Sequence, residues 1–153
     1  MILIKNIEYI KFAMFFIFMA AASVSDIKTG KIPNRLVLTG GIIGIIFTIF
    51  FRTDSNGLGM IWVIAWMIAE LAILFGYGMF GFMSMGDIKL WMMATTFITL
   101  RYSAMGMVIG ELLLIAYGFV KHKKYIPQIG YPLAPFMTVG MIIVEILRFI
   151  NVR

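Results

Sequence analysis

Cysteine is absent from this 153-residue chain, which removes disulfide frameworks, thiolate zinc sites and cysteine nucleophiles together. Histidine occurs once, at His122, so the chain cannot build a histidine-rich metal centre alone. Charge is scarce as well: 13% of residues are Asp, Glu, Lys or Arg, against about 25% in a soluble domain. Hydrophobic residues make up 62%, well above the usual ~45–50%. That balance excludes a soluble globular enzyme, a disordered tail and a nucleic-acid module. The net charge of +6 would suit nucleic acid on a polar chain. On one this apolar it reads as basic loops at an anionic lipid surface. No internal repeat or low-complexity tract stands out, and the 14 Met and 14 Phe are scattered as lipid-facing and helix-packing surface would have them. The expectation is one domain, residues 1–153, of the polytopic membrane class.

A bilayer-spanning helix needs ~20 mostly apolar residues. Six stretches approach this: residues 7–25, 36–51, 58–80, 88–100, 104–120 and 131–150. The fourth is short. One helix running from Ile88 to Val120 would place Arg101 near mid-bilayer, at a cost of at least ~2.5 kcal/mol. It would also separate the run Lys121-His122-Lys123-Lys124 from Lys28, Lys31 and Lys89. Two crossings with Arg101-Tyr102-Ser103 as the turn avoid both problems. The predicted fold is therefore all-α, a bundle of about six transmembrane helices. Loops 26–35, 81–89 and 121–130 then share a side that holds most of the loop lysines, and the positive-inside rule makes that side cytoplasmic. Lys5, Lys11, Arg148 and Arg153 run against the trend. Residues 7–25, with Ala20-Ala21-Ala22, have the look of a signal peptide, but five further apolar segments argue for retention.

Two aspartates stand at helix ends on the expected cytoplasmic side. Asp26 closes the first span in Asp26-Ile27-Lys28-Thr29-Gly30-Lys31-Ile32-Pro33-Asn34, and Asp87 opens the fourth in Ser84-Met85-Gly86-Asp87-Ile88-Lys89-Leu90. Taken singly, each is an ordinary interfacial or capping carboxylate.

Taken together, Asp-x6-Pro-Asn after the first span and Gly-Asp-x-Lys opening a later one resemble the type IV prepilin peptidases, intramembrane aspartyl proteases. Tyr131-Pro132-Leu133-Ala134-Pro135-Phe136 looks like the Pro-x-x-Pro-Phe segment of the same family. The resemblance spans nearly the whole chain, in order. It departs at one position: the family writes Gly-x-Gly-Asp where this chain has Ser84-Met85-Gly86-Asp87, and serine reaches φ > 0 less freely than glycine. It lacks the cysteine-rich insert of the bifunctional, N-methylating members, and so looks like the short peptidase-only type found with Flp/Tad pili.

The resemblance implies an aspartic endopeptidase of the prokaryotic plasma membrane that removes the short basic leader of type IV prepilins or pseudopilins. It implies a catalytic pair, Asp26 and Asp87, at the cytoplasmic face, with water as co-substrate and no metal or organic cofactor. Two neighbouring carboxylates share a proton, one acting as base and one as acid. The helix dipole favours the protonated form at Asp26, on a C-terminus, and the ionised form at Asp87, on an N-terminus. The expectation is Asp87 as base and Asp26 as acid. Pro33 and Asn34 are expected to end the first loop and cap the second span. Lys89 either holds an aspartate ionised, binds carbonyls or reaches to the headgroups. Gly86 is expected in a tight turn, and Gly76, Gly78 and Gly81 in close helix packing.

Glu70, Glu111 and Glu145 fall inside apolar spans, where ionisable residues suggest function. They raise a competing class, a small proton or cation transporter subunit. Their other reading is hydrogen bonding between helices. A third possibility is an inactive scaffold subunit of a pilus assembly machine, suggested by Ser84. Which prepilin is cut, and what oligomer forms, the residues do not say.

Overall fold

A computed structural model describes residues 2–51, 60–79, 84–122 and 131–151. All regular structure among them is α-helical, as the sequence predicts. The helices are α1 (Ile2–Thr29), α2 (Asn34–Phe51), α3 (Met60–Met79), α4 (Met85–Phe97), α5 (Leu100–His122) and α6 (Ala134–Asn151). Two stretches, Tyr9–Thr29 and Leu100–Lys121, are long and apolar enough to cross a membrane, and Asn34–Ile49 is a shorter apolar helix. Arg52, Gly81, Lys123 and Lys124 lie outside the described residues.

Local chemistry sets the helix ends around the aspartates. α1 stops because Gly30 adopts φ 61°, the left-handed C-cap conformation, and its N–H returns to the Asp26 carbonyl at 2.9 Å. Thr29 and Ser25 hydroxyls both donate to the Lys31 carbonyl, at 3.1 and 2.9 Å, which pins the short loop against α1. Pro33 immediately precedes α2, its carbonyl accepting from the Leu36 and Val37 amides.

Residues 88–120 do not form one helix, and the break differs from the sequence expectation. It falls at Ile98–Thr99, whereas Arg101-Tyr102-Ser103 lie in the first turn of α5. The physical reason is the β-branched run Thr95, Thr96, Ile98 and Thr99, which are weak helix formers. Thr95 and Thr96 also spend their hydroxyls on the Trp91 and Met93 carbonyls. Ile98 leaves the helix at φ −122°, ψ 153°. Glu70 of α3 accepts from the first amide of α5, Leu100 N–H, at 3.4 Å.

The core gathers Phe15, Met19, Met93, Phe97, Met137 and Met141, contributed by α1, α4 and α6. Phe15 and Phe97 rings meet at 5.5 Å. α5 and α6 approach so closely that a Cβ on Gly140 would run into the Gly106 carbonyl oxygen. Among the described residues, a Cβ on Gly76 would meet nothing within 4 Å, so the expected close packing is not seen there. Glu145, 2% exposed, pairs with Arg148 at 3.5 Å, and that guanidinium lies over the Phe12 and Tyr102 rings. Glu70 thus joins α3 to α5, whereas the Glu145–Arg148 pair lies within α6 and its guanidinium reaches the rings of α1 and α5.

Candidate active site

Asp26 sits in the last turn of α1 and is 8% exposed. Its Oδ2 accepts the backbone N–H of Ala134 at 3.2 Å, across 108 positions of sequence. That contact has a local cause. Ala134 is the first residue of α6, preceded by Leu133, whose carbonyl already takes the Met137 amide but whose side chain cannot cap a helix. Pro135 follows and has no N–H to satisfy. Asp26 thus supplies the cap that the sequence of α6 lacks. One turn along, the Ser23 and Thr138 hydroxyls are 2.8 Å apart and fix α1 against α6.

Asp87 is the third residue of α4 and half-buried. Its surroundings are local. Ser84, at φ −65°, ψ 144°, is the N-cap of α4: its hydroxyl oxygen accepts the Asp87 amide at 3.2 Å. The same hydroxyl donates to Asp87 Oδ2 at 2.7 Å. Serine therefore occupies ordinary extended backbone, and the expectation that this position calls for glycine-like freedom is not met.

Both aspartates line one cavity of about 700 Å³. Its wall is the α1–α2 connection, the start of α4 and the segment Tyr131-Pro132-Leu133 that leads into α6. Asp26 acts electrostatically on Asp87, so the two carboxylates are near enough to sense each other's charge. Burial pushes the Asp87 carboxyl above the ordinary carboxylate range; the Ser84 hydroxyl pulls it down, and the charges of Asp26 and Glu111 push it up further. Burial thus acts against the helix dipole, which favours the ionised form of Asp87.

Pro33, Asn34, Gly86 and Lys89 also line this cavity, in arrangements the sequence anticipates only in part. Asn34 was expected to cap α2. It is instead the first helical residue, exposed, and its Oδ1 accepts the Lys89 ammonium at 3.0 Å. Lys89 thereby bridges α4 to α2, and among the described residues no ion pair joins it to either aspartate. Gly86 is not in a tight turn but in the first turn of α4. A Cβ there would meet only Ser84 Oγ at 3.5 Å and Ile32 Cδ1 at 4.0 Å, both ordinary contacts. Pro33 is exposed at the start of α2.

Two partners of the aspartates lie outside the sequence expectations. Ser84 stood there as a departure, although Ser-x-x-Asp before an apolar run is a capping signature. The Ala134 amide carried no signal of its own, but Leu133-Ala134-Pro135 is a helix start without a capping side chain. Among the described residues, no three His, Asp or Glu side chains converge as a metal ion would require.

The sequence profile of the type IV leader peptidase family matches residues 13–120, a stretch that includes Asp26, Pro33, Asn34, Ser84, Gly86, Asp87 and Lys89. No curated protein and no solved structure matches.

Proposed function

The chain belongs to the type IV leader peptidase family, and from that premise we propose that Asp26 and Asp87 are the catalytic pair of this aspartic prepilin peptidase. Membership in the family implies cleavage of prepilin leader peptides. The observation that carries the residue assignment is that both carboxylates face one cavity of about 700 Å³ and interact electrostatically within it.

The chemistry follows from one proton shared between two acids. Asp87, pushed toward its protonated form, is the acid, and Asp26 is the base. Asp26 takes a proton from water as the water oxygen bonds to the scissile carbonyl carbon, and Asp87 gives its proton to the carbonyl oxygen. A tetrahedral diol results. The C–N bond then breaks with its electron pair on nitrogen, which takes the proton held by Asp26. A diol hydroxyl returns a proton to Asp87, so the pair ends as it began. The two groups titrate as a unit, so the pH dependence of cleavage reports the pair.

The helices form a single six-span bundle in the plasma membrane, with the cavity at the cytoplasmic face. Lys31 and Lys89 line the cavity, and Lys28, Arg35 and Lys121 lie on helix ends and loops of the same set, which the positive-inside rule assigns to the cytoplasm. A prepilin or pseudopilin would lie in the bilayer by its own apolar helix and present the leader junction to this face. The absence of cysteine and of a long polar insert favours the short Flp/Tad type.

Co-expression with candidate prepilins, followed by gel shift, tests the reading. Leader removal by the wild type and its loss in both Asp26→Ala and Asp87→Ala is the expected result. Cleavage that persists in either variant rejects the pair.

A further inference from the structure

The serine that departs from the family motif makes more polar contact with Asp87 than any other described side chain, and its geometry gives it a task. A hydroxyl has one hydrogen to give and two lone pairs to accept with. Ser84 uses both capacities on the same residue, accepting the Asp87 amide at 3.2 Å and donating to Asp87 Oδ2 at 2.7 Å. The first bond fixes the start of α4. The second fixes the rotation of the carboxyl group and commits Oδ2 to accepting a hydrogen. A proton carried by Asp87 then resides on Oδ1.

We infer that Ser84 is a positioning residue of the peptidase, holding the Asp87 carboxyl in one orientation and assigning its transferable proton to Oδ1. Glycine at this place offers no donor, so this chain has a device that the family's usual motif lacks. The inference rests on Asp87 being one of the catalytic pair. The charged and titratable groups around Asp87 are Asp26 from α1, Glu111 from α5, and Lys31, Lys89 and Tyr131 on the cavity wall. Against the two acids, which push Asp87 toward its protonated form, the Ser84 hydroxyl acts in the opposite sense.

The test uses the full-length enzyme in liposomes and a purified prepilin that the wild type cleaves, with kcat and KM measured across pH. Ser84→Gly removes the donor and keeps a tolerated N-cap, since serine-to-glycine caps lose only a few tenths of a kcal/mol; folding is therefore preserved. Ser84→Ala removes donor and cap together. Both should lower kcat about tenfold or more with KM unchanged, and move the alkaline limb of the profile to higher pH, because the ionised form of Asp87 loses its hydrogen bond. Ser84→Thr restores the hydroxyl and should recover most of the rate and the original limb. A wild-type profile in Ser84→Gly, a shift confined to the acid limb, or failure of Ser84→Thr to recover the rate overturns the inference. Failure of the underlying reading gives a separate signature, namely undiminished cleavage by Asp87→Asn.

Discussion

The two carboxylates of the cavity are held in opposite ways. Asp26 is tied to a partner more than a hundred residues away, the Ala134 amide at the start of α6, and is nearly buried. Asp87 is tied to a neighbour three residues back, the Ser84 hydroxyl, and is half-buried. The first acid also caps α6, which has no capping side chain of its own. The second depends on a local turn that forms with its own helix. What the difference teaches is that one site can draw its precision from tertiary packing on one wall and from a four-residue motif on the other. Substitutions should expose that division.

The largest effects should be common to both acids. Asp26→Asn and Asp87→Asn should each lower kcat by about 10²–10⁴-fold, the usual contribution of a positioned acid or base, as read from prepilin cleavage by purified enzyme. Equal loss at both sites fits a shared proton, and near wild-type cleavage by either variant breaks the pairing.

The next effect separates them. Asp26→Ala should destabilise the protein by ~1 kcal/mol, as loss of an N-cap does, whereas Asp26→Asn keeps an accepting oxygen for Ala134 and should be close to wild type. Asp87→Ala should cost less than Asp26→Ala, because the cap of α4 is the Ser84 oxygen and not the Asp87 side chain. Denaturant midpoints in detergent would measure the order. The reverse order would place the structural load on the wrong acid.

The pH dependence should show the electrostatic side of the contrast. Asp87 must hold a proton to act as acid, and its carboxyl lies above the ordinary range because of burial first and then neighbouring acids. Rising pH ionises it and stops cleavage. The alkaline limb should therefore fall above the pH at which an ordinary carboxylate ionises, and an enzyme that loses activity already within the ordinary carboxylate range would contradict the assignment. Smaller still is the link between the two walls. Lys89→Met and Asn34→Ala each break the bridge from α4 to α2, and the double variant should be no worse than the poorer single one, with coupling of ~0.5–1 kcal/mol in a double-mutant cycle.

Much of this was legible in the residues alone, and the limits have physical causes. Apolar length and spacing reveal helices directly, so all six were expected in the right order. The α4–α5 break lies a few residues before the expected turn at Arg101, because the β-branched run at Thr95, Thr96, Ile98 and Thr99 carries the conformational signal and the charge does not. Motif spacing led to Asp26 and Asp87, since local sequence fixes both helix ends. A dipole can be inferred from a helix end, whereas the desolvation that raises the Asp87 carboxyl depends on what packs around it. The Asp26–Ala134 contact was invisible for a similar reason: no local pattern in either segment names the other. Asn34 illustrates the remaining ambiguity. An asparagine beside a helix start reads as a cap, and only the arrival of Lys89 from another helix turns it outward.

The central claim is that two acids from distant parts of the chain meet across one cavity. The chain has no cysteine, so Asp26→Cys and Asp87→Cys can be combined in an otherwise unaltered protein and treated with a short bifunctional thiol reagent in membranes. The account predicts efficient intramolecular cross-linking, dependent on both substitutions and lost in the unfolded protein. Thiols that each react singly with a monofunctional reagent yet never cross-link would contradict it.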